Sequence, residues 1–191
     1  MATRVLIAED NWLTPTVLRA ELEAHGYQVA GVARTGREAL DMCRRDLPDV
    51  VLMDIRMPEM DGLEATRVLM EKHSVCVVMV TGDTSLSQAA AEAGAMDYLV
   101  KPFLPDEIGA VVARAQQRFG LFQYIRGQSR DLEEALEIWL AVRRAVQSLA
   151  DRHGLTEEQA FTRLQHDAFT RQVPLHDAAR AVPPDEQSRV A

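Results

Sequence analysis

The first 120 residues are dominated by one pattern, in which five short apolar runs alternate with five stretches of helical spacing. The runs are Arg4-Val5-Leu6-Ile7-Ala8, Tyr27 to Ala33, Asp49-Val50-Val51-Leu52-Met53-Asp54, Val75 to Val80, and Asp97-Tyr98-Leu99-Val100. The unbroken apolar residues before Asp54 suit a strand buried on both faces, as in the middle of a parallel sheet, Arg4 to Ala8 reads as a buried strand, and Tyr27 to Ala33 is strand-like. The helical stretches are Leu13 to His25, Gly36 to Arg45, Leu63 to Lys72, Ser85 to Ala93 and Pro105 to Arg118. Gly26 and Gly94 stop two of them, and Asp61-Gly62 supplies a turn before a third. Strict alternation predicts an α/β fold, a five-stranded doubly wound parallel sheet with right-handed crossovers and helices on both faces.

Four of the runs close on functional groups: Glu9 and Asp10, Asp54, Thr81, and Lys101. Open α/β sheets place their chemistry at the carboxyl ends of their strands. Taken alone, Asp54 reads as readily as a helix cap or a solvated strand end as it does as a functional acid. Thr81 alone reads as a strand-end hydrogen bonder, Tyr98 as a half-buried strand aromatic, and Lys101 as a solvated charge. Together they form a set. Three carboxylates at one edge repel each other, and a hard divalent cation such as Mg²⁺ offsets that charge, with Lys101 as a fixed positive neighbour.

Composition narrows the function classes. Apolar content of 47% supports a folded core. No run approaches the roughly 20 apolar residues that a membrane span needs, and Met1-Ala2-Thr3-Arg4-Val5 enters a strand with no room for a signal peptide. Cys43 and Cys76 are too few for a disulfide framework or a zinc site, which predicts free thiols in a reducing cytosol. Formal net charge is −8, split −6 over residues 1–120 and −2 over 121–191. Neither part is basic, which argues against a large nonspecific nucleic-acid surface.

Glu9-Asp10, Asp54 followed by Met57-Pro58 and Asp61-Gly62, Thr81-Gly82, and Lys101-Pro102-Phe103 resemble the receiver domain of two-component response regulators, over residues 1–120. The resemblance implies a flavodoxin-like fold and a phosphorylation-controlled regulator, not an enzyme. It implies that Asp54 takes a phosphoryl group from a sensor histidine kinase. Glu9, Asp10, Asp54 and the backbone carbonyl of Arg56 would hold Mg²⁺, Glu9 through a bound water. Lys101 and Thr81 would bind the phosphoryl group, and Thr81 and Tyr98 would form the switch. Haloacid-dehalogenase-type phosphatases share a strand-borne aspartate, but they need a second acid two residues on, where this chain has Arg56. The resemblance implies that Arg56 and Asp83 would flank the water path to the acyl phosphate.

Residues 121–130 form a junction with exposed-looking aromatics. Either the fifth helix runs on through it, or the chain turns at Gly120 and Gly127. Beyond it, residues 131–184 predict a small all-α three-helix domain, and 185–191 a disordered tail. Its first helix would be capped at Ser129, with Asp131, Glu133 and Glu134 in the first turns. Leu132, Leu136, Trp139, Val142, Val146 and Leu149 make a stripe suited to a coiled coil, or equally to burial against the later helices. Thr156-Glu157-Glu158-Gln159 is a capping box that opens a second helix, with an apolar stripe of Ala160, Phe161, Leu164 and Ala168 continuing to Phe169. Pro174 starts a third helix.

Ala145 with Leu149, His153 to Phe161, Pro174-Leu175 and Ala178-Ala179 resemble the ANTAR domain, a three-helix RNA-binding module of transcription antiterminators. The first helix departs from that pattern. Val146-Gln147 stands where the family favours Lys-Gly, and Trp139 replaces an arginine. The resemblance implies a stem-loop RNA partner and a homodimer when phosphorylated. Arg143, Arg144 and Arg152, with Arg163 and Arg171, either make a basic face for RNA or are solvated charges paired with acids. The alternative is a phospho-controlled protein-interaction regulator that has lost RNA binding. A DNA-binding output fits less well, because no compact basic recognition helix is present.

Overall fold

A computed structural model describes residues 2–127 and 131–183. Two compact units divide between Gln123 and Tyr124.

The first unit contains five strands, β1 (Arg4–Ala8), β2 (Gln28–Ala33), β3 (Val50–Asp54), β4 (Cys76–Thr81) and β5 (Asp97–Val100). All pair in parallel, in the order β2-β1-β3-β4-β5. Every residue of β3 and β4 is buried, as their unbroken apolar sequence demands, whereas the edge strands β2 and β5 carry exposed positions. The helices are α1 (Thr14–Ala24), α2 (Gly36–Arg45), α3 (Gly62–Lys72), α4 (Ser87–Glu92) and α5 (Pro105–Arg126). Thr35 and Asp61 cap α2 and α3 by accepting from the amides of Glu38 and Glu64. Leu6, Met53, Val77 and Met79 join Ala39, Leu40 and Leu69 in a shared core.

The strand order reverses at β1. The chain winds one way to β2 and the other way to β3, so the carboxyl ends of β1 and β3 flank a crevice. Glu9 and Asp10 follow one of these strands and Asp54 ends the other.

One helix differs from the sequence expectation, and another takes the first of the two courses left open at the junction. The stretch expected as one helix over Ser85 to Ala93 begins as a 3-10 turn, Thr84–Leu86, before the short α4. Asp83 imposes that start, because its carboxylate accepts from the amide and hydroxyl of Ser85. The fifth helix does not turn at Gly120 but continues to Arg126. Within it Phe119 and Phe122 stack at 6.2 Å, and Phe122 is buried, while Tyr124 is exposed.

The second unit contains α6 (Leu132–His153), α7 (Glu157–Arg171) and α8 (Leu175–Ala181). Asp131, not Ser129, caps α6, accepting from the Glu134 amide at 2.9 Å; Ser129 lies outside the described residues. Gly154, at φ +60°, ends it. The capping box of Thr156 and Gln159 is fully formed. The three helices pack on one another. Along α6, Trp139 and Val142 are buried and Leu132, Leu136, Val146 and Leu149 half-buried, joined by small residues such as Ala135 and Ala145. One expectation fails on α7. Phe169 does not continue the apolar stripe but is 83% exposed. Ala168 closes the buried face, and one further residue turns the side chain by about 100° into solvent. The expected tail at 185–191 lies outside the described residues. Among the described residues no helix is long and apolar enough to cross a membrane.

Candidate functional site

At the crevice the chain assembles acids from two strands. Glu9 follows β1 directly, and its amide donates to the Ala33 carbonyl at 3.0 Å, which ties it to β2. Glu9 is 2% exposed and Asp54 7%, while Asp10 is exposed. Each of the three offers a carboxylate oxygen within 4.8 Å of the others.

Lys101, just past β5, reaches across this group. Its Nζ donates to Glu9 Oε2 at 2.5 Å and to Asp54 Oδ2 at 2.8 Å. Its amide donates to the Thr81 carbonyl at 2.7 Å, so the position is set by the β4–β5 ladder. Burial pushes the Glu9 carboxyl above its ordinary range, partly countered by its bond to Lys101, and the Asp54 charge adds to the rise. Burial works against the Lys101 charge, but its bonds to Asp54 and Glu9 prevail and hold its proton more tightly than usual. Three carboxylates beside one ammonium leave net negative charge in a half-enclosed crevice. That donor set, all oxygen and anionic, fits a hard divalent cation.

The loop after β3 presses close to the acid. The Arg56 amide donates to Asp54 Oδ1 at 3.3 Å. The Gly62 amide donates to the Ile55 carbonyl at 2.9 Å, and an added Cβ on Gly62 would fall 2.0 Å from the Asp54 carbonyl oxygen. Only glycine lets the start of α3 lie this near β3. Met57 and Met60 anchor the same loop in the core.

Thr81 is turned onto its own loop. Its hydroxyl donates to the Asp83 carbonyl at 3.3 Å and accepts from the Asp83 amide at 3.0 Å. The Arg56 guanidinium pairs with the Asp83 carboxylate at 3.2 Å. Tyr98 is 37% exposed on edge strand β5. Beside it, buried Asp97 is held by Arg114 at 2.6 Å and Arg118 at 3.1 Å.

The structure thus gathers Glu9, Asp10, Asp54 and Lys101 at one point, with Arg56 and Thr81 on adjoining loops and Tyr98 on the edge. Sequence reasoning missed Arg34. Its guanidinium donates to the carbonyl of Asn11 at 2.9 Å and braces the loop that carries Asp10. The only signal would have been the adjacency of β1 and β2, which is not a local property. The predicted arginines of the second unit lie on two helices. Arg143 is half-buried and Arg144 exposed on α6. Arg152, also exposed, donates to the Pro183 carbonyl at 3.1 Å. Arg163 is exposed on α7, and Arg171 pairs with Asp167 at 3.1 Å.

Comparison with known proteins matches both units to described families. Residues 5–113 match the response regulator receiver domain, and residues 122–182 match the ANTAR domain. The chain is 36% identical over 181 residues to the transcriptional regulatory protein PdtaR of Mycobacterium tuberculosis, covering 94% of this chain and 88% of that protein. It is 40% identical over 113 residues to the chemotaxis protein CheY of Thermotoga maritima, covering 56% of this chain and 92% of that protein. Among solved structures it resembles the receiver domain of the sensor histidine kinase PA1611 from Pseudomonas aeruginosa, with a magnesium ion coordinated in the active-site cleft. The TM-score is 0.56 at 30% identity, covering 61% of this chain and 99% of that one.

Proposed function

The chain belongs to the response regulators that join a receiver domain to an ANTAR domain, and from that membership we propose that Asp54 accepts a phosphoryl group from a sensor histidine kinase and that the helical unit binds structured RNA to control transcription antitermination. The observation that carries the first half is Lys101 bridging Glu9 and Asp54 beside Asp10 at the reversal of strand order.

In this reading an Asp54 carboxylate oxygen attacks phosphorus in line. An O–P bond forms as the N–P bond to the kinase histidine breaks, and the leaving imidazole nitrogen keeps the electron pair. Lys101, freed from one carboxylate, stabilises charge on the phosphoryl oxygens. Asp10, Asp54 and the Arg56 carbonyl would hold Mg²⁺, with Glu9 acting through a water, and the ion would supply further neutralisation of that charge. Thr81 leaves Asp83 to hydrogen-bond the phosphoryl group, and Tyr98 turns inward into the space it leaves. The altered face around β5 then favours a homodimer, and the protein acts in the cytoplasm.

Incubation with acetyl phosphate and Mg²⁺ tests the acceptor. A mass gain of one phosphoryl group, mapped to Asp54 and absent from Asp54→Asn, is expected; no gain, or gain at another side chain, refutes it. A second reading, a protein-interaction output that has lost RNA binding, is favoured by the net charge of −2 over residues 121–191 and by the intramolecular partners of Arg152 and Arg171. Specific stem-loop binding that weakens in Arg143→Ala/Arg144→Ala rejects it.

A further inference from the structure

The solvent side of α7 carries an unusual combination of groups. Among the described residues Phe169 is the most exposed of the large hydrophobics, at 83%. Burying it in the unit's own core would have needed only the place one residue earlier, which Ala168 takes. Residues three, four and seven positions before it share its face of the helix: His166, Gln165 and Thr162. All three are exposed. Gln172, the exposed left-handed cap of α7, donates its amide to the Phe169 carbonyl at 3.1 Å and fixes the helix end beside the ring. Asp167 and Arg171 point elsewhere around the helix and pair with each other. The one acid in line, Glu158, stands about three turns away. Thr162 already donates its hydroxyl to the Glu158 carbonyl at 2.9 Å, so the groups left to donate as well as accept beside the ring are Gln165 and His166, with no charge cluster among the described residues of α7.

That chemistry suits a nucleobase better than a phosphate. Phosphate binding needs converging cations, and this part of the chain is net acidic. An unpaired base offers a π-face for stacking and edges for amide and imidazole hydrogen bonds. A duplex hides both, so the ring selects an unstacked loop. We propose that Phe169 is a base-stacking residue of the RNA site, receiving one unpaired loop base, with Gln165 and His166 placed to bond its edge. This rests on the RNA-binding reading above and specifies which part of the RNA that site takes.

The test uses the full chain and a stem-loop RNA selected on it from a library with a randomised loop, with the fully paired stem as control. Phe169→Ala should weaken loop binding by about 5- to 150-fold, the loss of one base–aromatic stack. The slope of affinity against salt should be unchanged, because no phosphate contact is lost. Phe169→Trp should bind like the parent, and an unchanged far-UV spectrum should show that both variants fold. Loop binding by Phe169→Ala within twofold of the parent overturns the stacking role and leaves RNA binding standing. So does a loss of binding that Phe169→Trp shares, or one accompanied by a change in oligomeric mass, which would make the ring a protein contact. If the parent selects no loop RNA at all, the RNA-binding reading itself fails and this proposal with it.

Discussion

Gly62→Ala sets two well-known effects against each other at the base of the phosphoacceptor loop. Gly62 is the first residue of α3 and needs no left-handed conformation. Helix propensity alone would therefore make alanine stabilising, by at most about 1 kcal/mol. The steric effect runs the other way. The new Cβ would lie 2.0 Å from the Asp54 carbonyl oxygen, 2.9 Å from its carbonyl carbon and 3.0 Å from Met53 Cγ. The nearest neighbour is backbone in a strand buried along its whole length, so relief requires α3 or the end of β3 to shift by about 1 Å. Overpacking of this kind costs about 1–3 kcal/mol. The steric effect should win, for a net loss of about 1–2 kcal/mol. At an m-value of about 1–3 kcal/mol per M in urea, the midpoint should fall by about 0.3–2 M. Cys43 and Cys76 are both buried in the first unit, so thiol labelling across a urea series reads this unit alone. Gly82→Ala is the control, since an added Cβ there meets nothing within 4 Å. Phosphorylation of Asp54 should also slow in Gly62→Ala, because the shift displaces the acceptor. A Gly62→Ala midpoint equal to or above the parent's would show that the loop yields freely, and the reasoning would fail.

Two further perturbations test the electrostatics. Mg²⁺ should raise the thermal midpoint of the first unit, by the equivalent of about 1.4 kcal/mol at tenfold excess over its Kd, and Asp10→Asn should abolish that rise; an equal rise in Asp10→Asn would place the ion elsewhere. Burial, aided by the Asp97 charge, pushes the Cys76 thiol up to about 12 from 9.0. The folded state therefore keeps a proton that the unfolded chain loses, and this stabilisation is complete below pH 9 and is lost as pH climbs from 9 towards 12. Urea midpoints taken at successive pH values above 9 should show the parent losing up to about 1.4 kcal/mol per pH unit more than Cys76→Ala; parallel slopes would mean the thiol ionises in place.

Much of the fold was legible because buried parallel strands leave a local trace. β3 and β4 have no solvent face, so each must be an unbroken apolar run, and the polar residue that ends each run marks the sheet's edge. Asp54 and Lys101 could be singled out on that ground, and the capping box at Thr156 because both its partners lie within four residues. The cap of α6 shows the limit even of local rules: Asp131, expected only to assist in the first turns, is the residue whose carboxylate meets the Glu134 amide.

What the amino-acid order alone determined, then, was the kind of each element, the strand-end groups and the two-part organisation. The tertiary structure decided which ends meet: local periodicity is silent on β1 lying between β2 and β3, which entered the sequence reading only through the family resemblance, and only that order brings Glu9 to Asp54 and Arg34 under the Asp10 loop. It also decided that Lys101 spans both acids, that Thr81 faces Asp83, and that Trp139 is buried while Phe169 is not. The reason is range. Periodicity and capping report interactions a few residues long, whereas a partner 92 positions away, as Glu9 is from Lys101, exists only once the sheet has closed the distance.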